Sequence, residues 1–241
     1  MRLMLDKSNL DFIVTLFDYS NIQAYRVSDK DCELLALKAI KYGFKNVVVG
    51  PSSLPIINKL LKWSGVNIAV AIAYPSGAYL LHSKLQEIDD ILKSGYRVDE
   101  FYMVLAIGKF LSGYENETLE ELKALVKAAK GRVTKAVIEA AVMNKSQKKL
   151  ICDMAAEAGV DYLVASTGFL PYDVPSPTSK DIEELVNASA GRLGIIACGE
   201  INTMEKALEM LYAGANRICT MKADEIIEAL KNTAIELNKI Q

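Results

Sequence analysis

The chain has 241 residues and a mass of 26.5 kDa, enough for one large domain or two small ones, and its 51% hydrophobic content can build a sizeable core. A net charge of −2 with a pI near 5.6 argues against a nucleic-acid partner, which needs a clustered basic excess. The longest uncharged stretch, residues 66 to 83, is interrupted by Tyr74-Pro75-Ser76-Gly77, which argues against a membrane span.

Residues 1–11 meet charge before any apolar segment develops, so they read as a short lead-in rather than a secretory leader. The apolar or β-branched runs that follow predict strands over Phe12–Phe17, Asn46–Val49, Asn67–Ala73, Val98–Leu105, Val133–Ile138, Val160–Ala165, Leu193–Ala197 and Asn216–Thr220. Their scarcity of charge on both faces suits a parallel sheet covered by helices. Between them lie stretches with charges at helical spacing. Ser28-Asp29-Lys30-Asp31 opens the first with an N-cap and an acid three residues on, and others run over Glu117–Lys130, Ser146–Ala158, Lys180–Ala190 and Thr203–Ala213. Gly43, Gly65, Gly95, Gly131, Gly159, Gly191 and Gly214 each follow a helical stretch and precede a strand, where glycine ends a helix in the left-handed conformation. Eight such units in one uninterrupted chain predict a single (β/α)₈ TIM barrel over residues 1–241. The alternative, a doubly wound open sheet, lacks a GxGxxG turn after its first strand.

Cys32, Cys152, Cys198 and Cys219 have no CxxC spacing, so neither a disulfide scaffold nor a structural zinc site is expected, and the cytoplasm is the default compartment. Cys198 and Cys219 read as small apolar wall residues at the ends of adjacent strands. His82 is the one histidine and reads as a surface or loop residue; no metal site is expected. Lys145–Lys149 reads as the solvated opening of a helix. Gly50-Pro51-Ser52-Ser53 reads as a turn with an N-cap.

A barrel places chemistry at the C-terminal ends of its strands. That nominates Asp18 and Ser20 after the first strand, and Tyr74 after the third. Tyr102 lies within the fourth, and Lys135 and Glu139 belong to the fifth. Ser166-Thr167-Gly168 ends the sixth, Cys198-Gly199-Glu200 the seventh and Cys219-Thr220 the eighth. Lys135 is the most informative, because a lone lysine in Val133-Thr134-Lys135-Ala136-Val137-Ile138-Glu139 is costly unless paired. Alternation puts Lys135 and Glu139 on one face. A desolvated lysine inside a barrel suits an imine-forming nucleophile. It equally suits a structural ion pair with Asp18 or Glu139.

The order of several segments resembles the deoxyribose-phosphate aldolase family from about Leu16 to Met221. They are Leu16-Phe17-Asp18, the run from Tyr42 to Val49, Ala73-Tyr74-Pro75-Ser76-Gly77, Val98-Asp99-Glu100-Phe101-Tyr102, Thr134–Glu139, and Ala158–Phe169 with its Ser166-Thr167-Gly168 signature. The resemblance implies a retro-aldol cleavage through a Schiff base, with no cofactor. It also implies that the nucleophilic lysine of the sixth strand is replaced here by Val164, the tuning lysine of the seventh by Ile196, and the aspartate of the fourth by Tyr102. Lys135 and Asp18 are retained. The family's phosphate turns correspond to Gly199-Glu200-Ile201-Asn202 and Cys219-Thr220-Met221-Lys222, and the Glu200 carboxylate opposes a phosphate there.

Three readings follow. The first is a carbon–carbon lyase using Lys135 as the amine, with Asp18 or Tyr102 in proton transfer. The second is a non-covalent isomerase or hydro-lyase using Lys135 and Glu139 as acid and base. The third is a silent relative that binds a small ligand or a protein. Ser166, Thr167, Gly168, Gly199, Glu200 and Thr220 are the expected ligand contacts, with a small molecule as partner, no nucleic acid, no membrane, and a homodimer as the family's habit. No apolar helix face in the sequence identifies the dimer contact.

Overall fold

A computed structural model describes residues 7–22, 24, 26–169 and 175–240. Residues 1–6 of the expected lead-in lie outside these. The strands are β1 (Phe17–Ser20), β2 (Asn46–Val49), β3 (Asn67–Ile72), β4 (Glu100–Val104), β5 (Val133–Val137), β6 (Tyr162–Val164), β7 (Gly194–Cys198) and β8 (Arg217–Thr220). They pair in parallel and in chain order, and β8 closes on β1. The fold is therefore the expected closed (β/α)₈ barrel. The helices are α1 (Lys7–Thr15), α2 (Asp29–Tyr42), α3 (Leu54–Leu61), α4 (Leu81–Lys93), α5 (Ile107–Leu111), α6 (Glu115–Ala128), α7 (Lys145–Ala158), α8 (Ser179–Ser189), α9 (Met204–Tyr212) and α10 (Ala223–Ile240). None of these is long and apolar enough to cross a membrane.

The first strand is displaced from the predicted Phe12–Phe17. Most of that run is helical in α1, burying Ile13 and Val14 while Phe12 stays 60% exposed. A short apolar run cannot by itself distinguish the two periods. As a result Asp18 and Ser20 lie within β1, not after it. Ser28 and Asp31 form the expected capping box on α2. Gly50-Pro51-Ser52-Ser53 is a turn containing a short 3₁₀ segment, but no side chain caps it or α3. Of the seven punctuating glycines, all but Gly65 adopt positive φ.

The main core lies between the barrel and its helices, and a smaller apolar cluster fills the barrel itself. Two lysines cross the outer core in ion pairs. Lys84 of α4 pairs with Glu121 and donates to the Val104 carbonyl at 2.8 Å. Lys148 of α7 pairs with Asp181 and, at 2.8 Å, with Glu184. Lys148 is 3% exposed, so the Lys145–Lys149 run is not solvated throughout; one of its lysines faces α8. His82 is exposed, as expected.

Candidate functional site: a buried ion cluster beneath a roofed mouth

The side chains inside the barrel divide by height. Asn46, Glu100, Tyr162 and Arg217 are the first residues of β2, β4, β6 and β8, at the N-terminal end. Val104, Val137, Val164 and Cys198 are the last residues of β4, β5, β6 and β7, at the catalytic end. Period-two alternation on each strand turns these positions inward. The polar cluster therefore sits low, and an apolar layer lies above it.

Lys135 points into the barrel and is completely buried. Its Nζ pairs with Asp18 Oδ2 at 2.6 Å and with Glu100, and lies 4.5 Å from the Tyr102 ring centroid. Asp18 also accepts from Asn46 Nδ2 at 2.6 Å and from the Tyr102 hydroxyl at 2.5 Å. Arg217 completes the cluster, 3.3 Å from Glu100 and 3.5 Å from Asp18, with its guanidinium over the Tyr162 ring. Two carboxylates face two cations, so the buried charge cancels. Burial raises the Asp18 pKa, but Lys135, Arg217 and the Asn46 amide hold it below its usual 3.8. Burial and the Asp18 charge push the Tyr102 phenol well above its usual value, which keeps it a proton donor to Asp18.

The sign for stability follows from the Asp18 shift. A carboxyl that binds its proton more weakly when folded contributes stability that is complete above its unfolded pKa, and that is lost as pH falls through the folded value. Wild-type stability is expected to drop steeply below about pH 4, near the usual value of 3.8. Asp18→Asn should flatten that drop while lowering stability at pH 7. Urea titrations at pH 7 and pH 3 measure both.

Sequence alternation suggested that Glu139 accompanies Lys135, and the structure separates them. The fifth strand ends at Val137, and Glu139 sits beyond it at φ 48. Its carboxylate accepts from the Ser166 hydroxyl at 2.8 Å, and from the Thr167 N–H and hydroxyl at 2.7 and 2.5 Å. Glu139 thus braces the Ser166-Thr167-Gly168 turn. A Lys135–Glu139 acid–base pair is not assembled; of the two expected ion-pair partners Lys135 meets Asp18, and Glu100 stands where Glu139 was expected.

Tyr74 spans the mouth. It follows β3, yet its hydroxyl donates to the Thr167 carbonyl after β6 at 3.1 Å, and its ring packs edge-on to Phe169 and onto the barrel's apolar cluster. Tyr74→Phe is expected to cost about 1 kcal/mol of stability, the net worth of one such bond, in urea unfolding.

The turns after β7 and β8 are closed internally. The Glu200 N–H donates to Ser176 Oγ at 3.0 Å, the Lys222 N–H to Thr220 Oγ1 at 3.0 Å, and the Thr220 hydroxyl to the Ile201 carbonyl at 2.7 Å. A methyl on Gly199, at φ 120, would meet Ser176 Oγ at 2.6 Å, so the chain after β6 lies directly on this turn. Glu200 is exposed, and Lys222 pairs with Glu225. Cys198 and Cys219 are buried register partners in the inner wall. Contact with Cys219 and burial raise the Cys198 pKa, the opposite of thiolate activation. Among the described residues no group of three or more His, Cys, Asp or Glu side chains is placed to hold a metal.

A cleft of about 300 Å³ remains open beside Tyr74, at the catalytic ends of β1 to β3. Ile22, Gly50, Ser52, Ala71 and Glu87 line it. Burial raises the Glu87 pKa, against the opposing effects of the Ala73 N–H and Lys84. The sequence pointed to Lys135, Asp18 and Tyr102, which do meet. It missed Glu100, Arg217 and Asn46, although a charged residue at an inward position of an apolar strand was the signal used for Lys135.

Comparison with known proteins adds independent information. The chain is 34% identical over 204 residues to the deoxyribose-phosphate aldolase of Dictyoglomus turgidum, covering 85% of this chain and 91% of that protein. It is 33% identical over 224 residues to that of Thermococcus gammatolerans, covering 91% and 97%. Among solved structures, QR15, an aldolase, superposes with a TM-score of 0.84 at 25% identity, covering 93% of this chain and 98% of that one. The tetrameric deoxyribose phosphate aldolase of Aeropyrum pernix gives 0.83 at 26% identity, covering 93% of each chain. No protein-family model matches.

Proposed function

Since this chain belongs to the deoxyribose-phosphate aldolase family, we propose that it keeps the family's barrel for binding a small hydroxy- or carbonyl compound and has lost the Schiff-base step of aldol cleavage. The observation that carries this reading is the state of Lys135. Among the described residues it is the one lysine on a strand, and its ammonium is buried between two carboxylates below an apolar layer. An ion-paired ammonium has no lone pair to attack a carbonyl. The positions that the resemblance assigns to the family's lysines carry Val164 and Ile196, both fully buried and adjacent in register.

The ligand is unphosphorylated. A phosphate needs free N–H donors or cations at the turns after β7 and β8. There the Glu200 and Lys222 N–H groups are already bonded, and Glu200 adds a negative charge. The open cleft beside Tyr74 offers Ser52 and Glu87 to hydroxyl groups and Ile22 and Ala71 to carbon.

Saturation-transfer NMR with glyceraldehyde, dihydroxyacetone and 2-deoxyribose, with and without phosphate, tests the reading. Binding of unphosphorylated members without cleavage, lost in Ala71→Phe, is expected. Selective binding of the phosphorylated members would contradict it.

A second reading, carbon–carbon lyase chemistry through Lys135, draws on the placement of Asp18 and Tyr102 against the amine, where they could move protons. It requires Lys135 to leave both carboxylates. Cleavage of any panel member that disappears in Lys135→Arg would select it.

A further inference from the structure

Glu87 of α4 is half-buried and lines the cleft beside Tyr74. Its Oε2 accepts from the Ala73 N–H at 2.9 Å. Among the described residues nothing donates to Oε1. Lys84, one turn earlier on the same helix, is the nearby cation, but its ammonium pairs with Glu121 and donates to the Val104 carbonyl at 2.8 Å. A partly desolvated carboxylate is thus left short of a donor. The rise that burial gives its pKa, against the Ala73 N–H and the Lys84 charge, reflects the same shortage.

Among the described residues that line the cleft, Glu87 is the one charged side chain; Ile22, Val27, Pro51 and Ala71 are apolar, and Ser52 and Ser53 carry hydroxyls. An anion has no cradle there. Helix α3 starts at the cleft, and a helix N-terminus ordinarily offers N–H groups to an anion. Pro51 and Pro55 have no N–H, however, and the N–H groups of Ser53 and Leu54 donate to the Gly50 and Pro51 carbonyls. Charge complementarity therefore sets the ligand class. An N⁺–H···O⁻ bond is roughly twice as strong as a neutral one, so an ammonium gains more from Oε1 than a hydroxyl does. Its charge also favours the ionised form of Glu87. We propose that the cleft selects a small hydroxylated primary amine, an amino alcohol or amino sugar, whose ammonium donates to Glu87 while its hydroxyls meet Ser52 and Ser53. The carbon frame lies on Ile22 and Ala71. This assignment rests on the cleft being the binding site. At about 300 Å³ it is a small ligand pocket, which suits one sugar ring or less.

Serinol, glycerol and glycerate share one three-carbon frame and differ in charge, as cation, neutral molecule and anion. In saturation-transfer NMR titrations at neutral pH, serinol should bind wild type about tenfold or more tighter than glycerol, and glycerate should bind most weakly. Glucosamine should exceed glucose in the same way. Glu87→Gln keeps a carbonyl for the Ala73 N–H and removes the charge, so serinol should lose its advantage over glycerol. Ala71→Phe, which fills the cleft, should abolish binding of both. Glycerol binding as tightly as serinol, with both lost in Ala71→Phe, would overturn the amine class and leave the cleft as the site. A serinol preference that survives Glu87→Gln would overturn it too, by placing the ammonium on another acid. Binding untouched by Ala71→Phe would remove the cleft and the amine class together.

Discussion

Lys135→Met is expected to destabilise the fold by about 3–5 kcal/mol, the range for removing one partner of a buried ion pair. The loss has a specific origin. Asp18 and Glu100 are 0% and 2% exposed and both contact the Lys135 ammonium, so removing it leaves two desolvated carboxylates with Arg217 as their remaining cation. Arg217 stands 3.3 to 3.5 Å from them, a looser contact than the one lost. Adding Asp18→Asn to the methionine variant leaves Glu100 opposite Arg217, one charge of each sign, and should recover most of the stability, because a whole buried pair contributes far less than breaking half of it costs. Urea unfolding of the single and double variants decides the matter. A lysine retained mainly for chemistry predicts the reverse, a single variant as stable as wild type or more so.

The second large effect is a gain. Val164→Lys is expected to create an imine-forming amine within the apolar layer of the barrel. Val164 ends β6 and faces inward among Val137 and Ile196, in an apolar cluster. A lysine there is desolvated, and burial can lower a lysine pKa by up to about 3–5 units. The neutral amine adds to a carbonyl carbon, water leaves, and borohydride reduces the imine to a stable secondary amine. Incubation with a small aldehyde, reduction and peptide mapping should place the adduct at position 164. A folded variant without adduct would show that the apolar layer under Tyr74 admits no substrate.

The architecture was legible because it is written in local chemistry. Glycines at helix ends and uncharged strands between amphipathic helices specify the barrel one unit at a time, and the structure closes in the expected order. Lys135 was legible as an inward residue because a strand turns alternate side chains to one face. What failed was whatever depends on two distant segments meeting. Glu100 meets Lys135 through the pairing of β4 with β5, and Arg217, 117 residues from Glu100 in the chain, meets it only when the barrel closes. Tyr74 reaches across the mouth to Thr167, 93 residues away. Lys148 looked like part of a solvated run until α8 supplied Asp181 and Glu184. Glu139 failed for another reason: the strand ends two residues earlier, and a left-handed turn rotates its carboxylate toward Ser166 and Thr167. At Phe12–Phe17 helix and strand periods could not be told apart.

The same geometry explains how the barrel tolerates three buried charges and a half-buried fourth. Asp18, Glu100, Lys135 and Arg217 neutralise one another, and Asn46 and Tyr102 fill further acceptor positions on Asp18. Such a network fixes the register of β1, β4, β5 and β8 around the lower barrel, which apolar residues alone would specify less sharply.

The most direct measurement is borohydride trapping of the wild-type protein with a panel of small aldehydes and ketones, followed by peptide mass mapping. The account predicts adducts scattered over exposed lysines and none at Lys135, whose amine is held between Asp18 and Glu100. An adduct confined to Lys135 would contradict it and return the chain to covalent lyase chemistry.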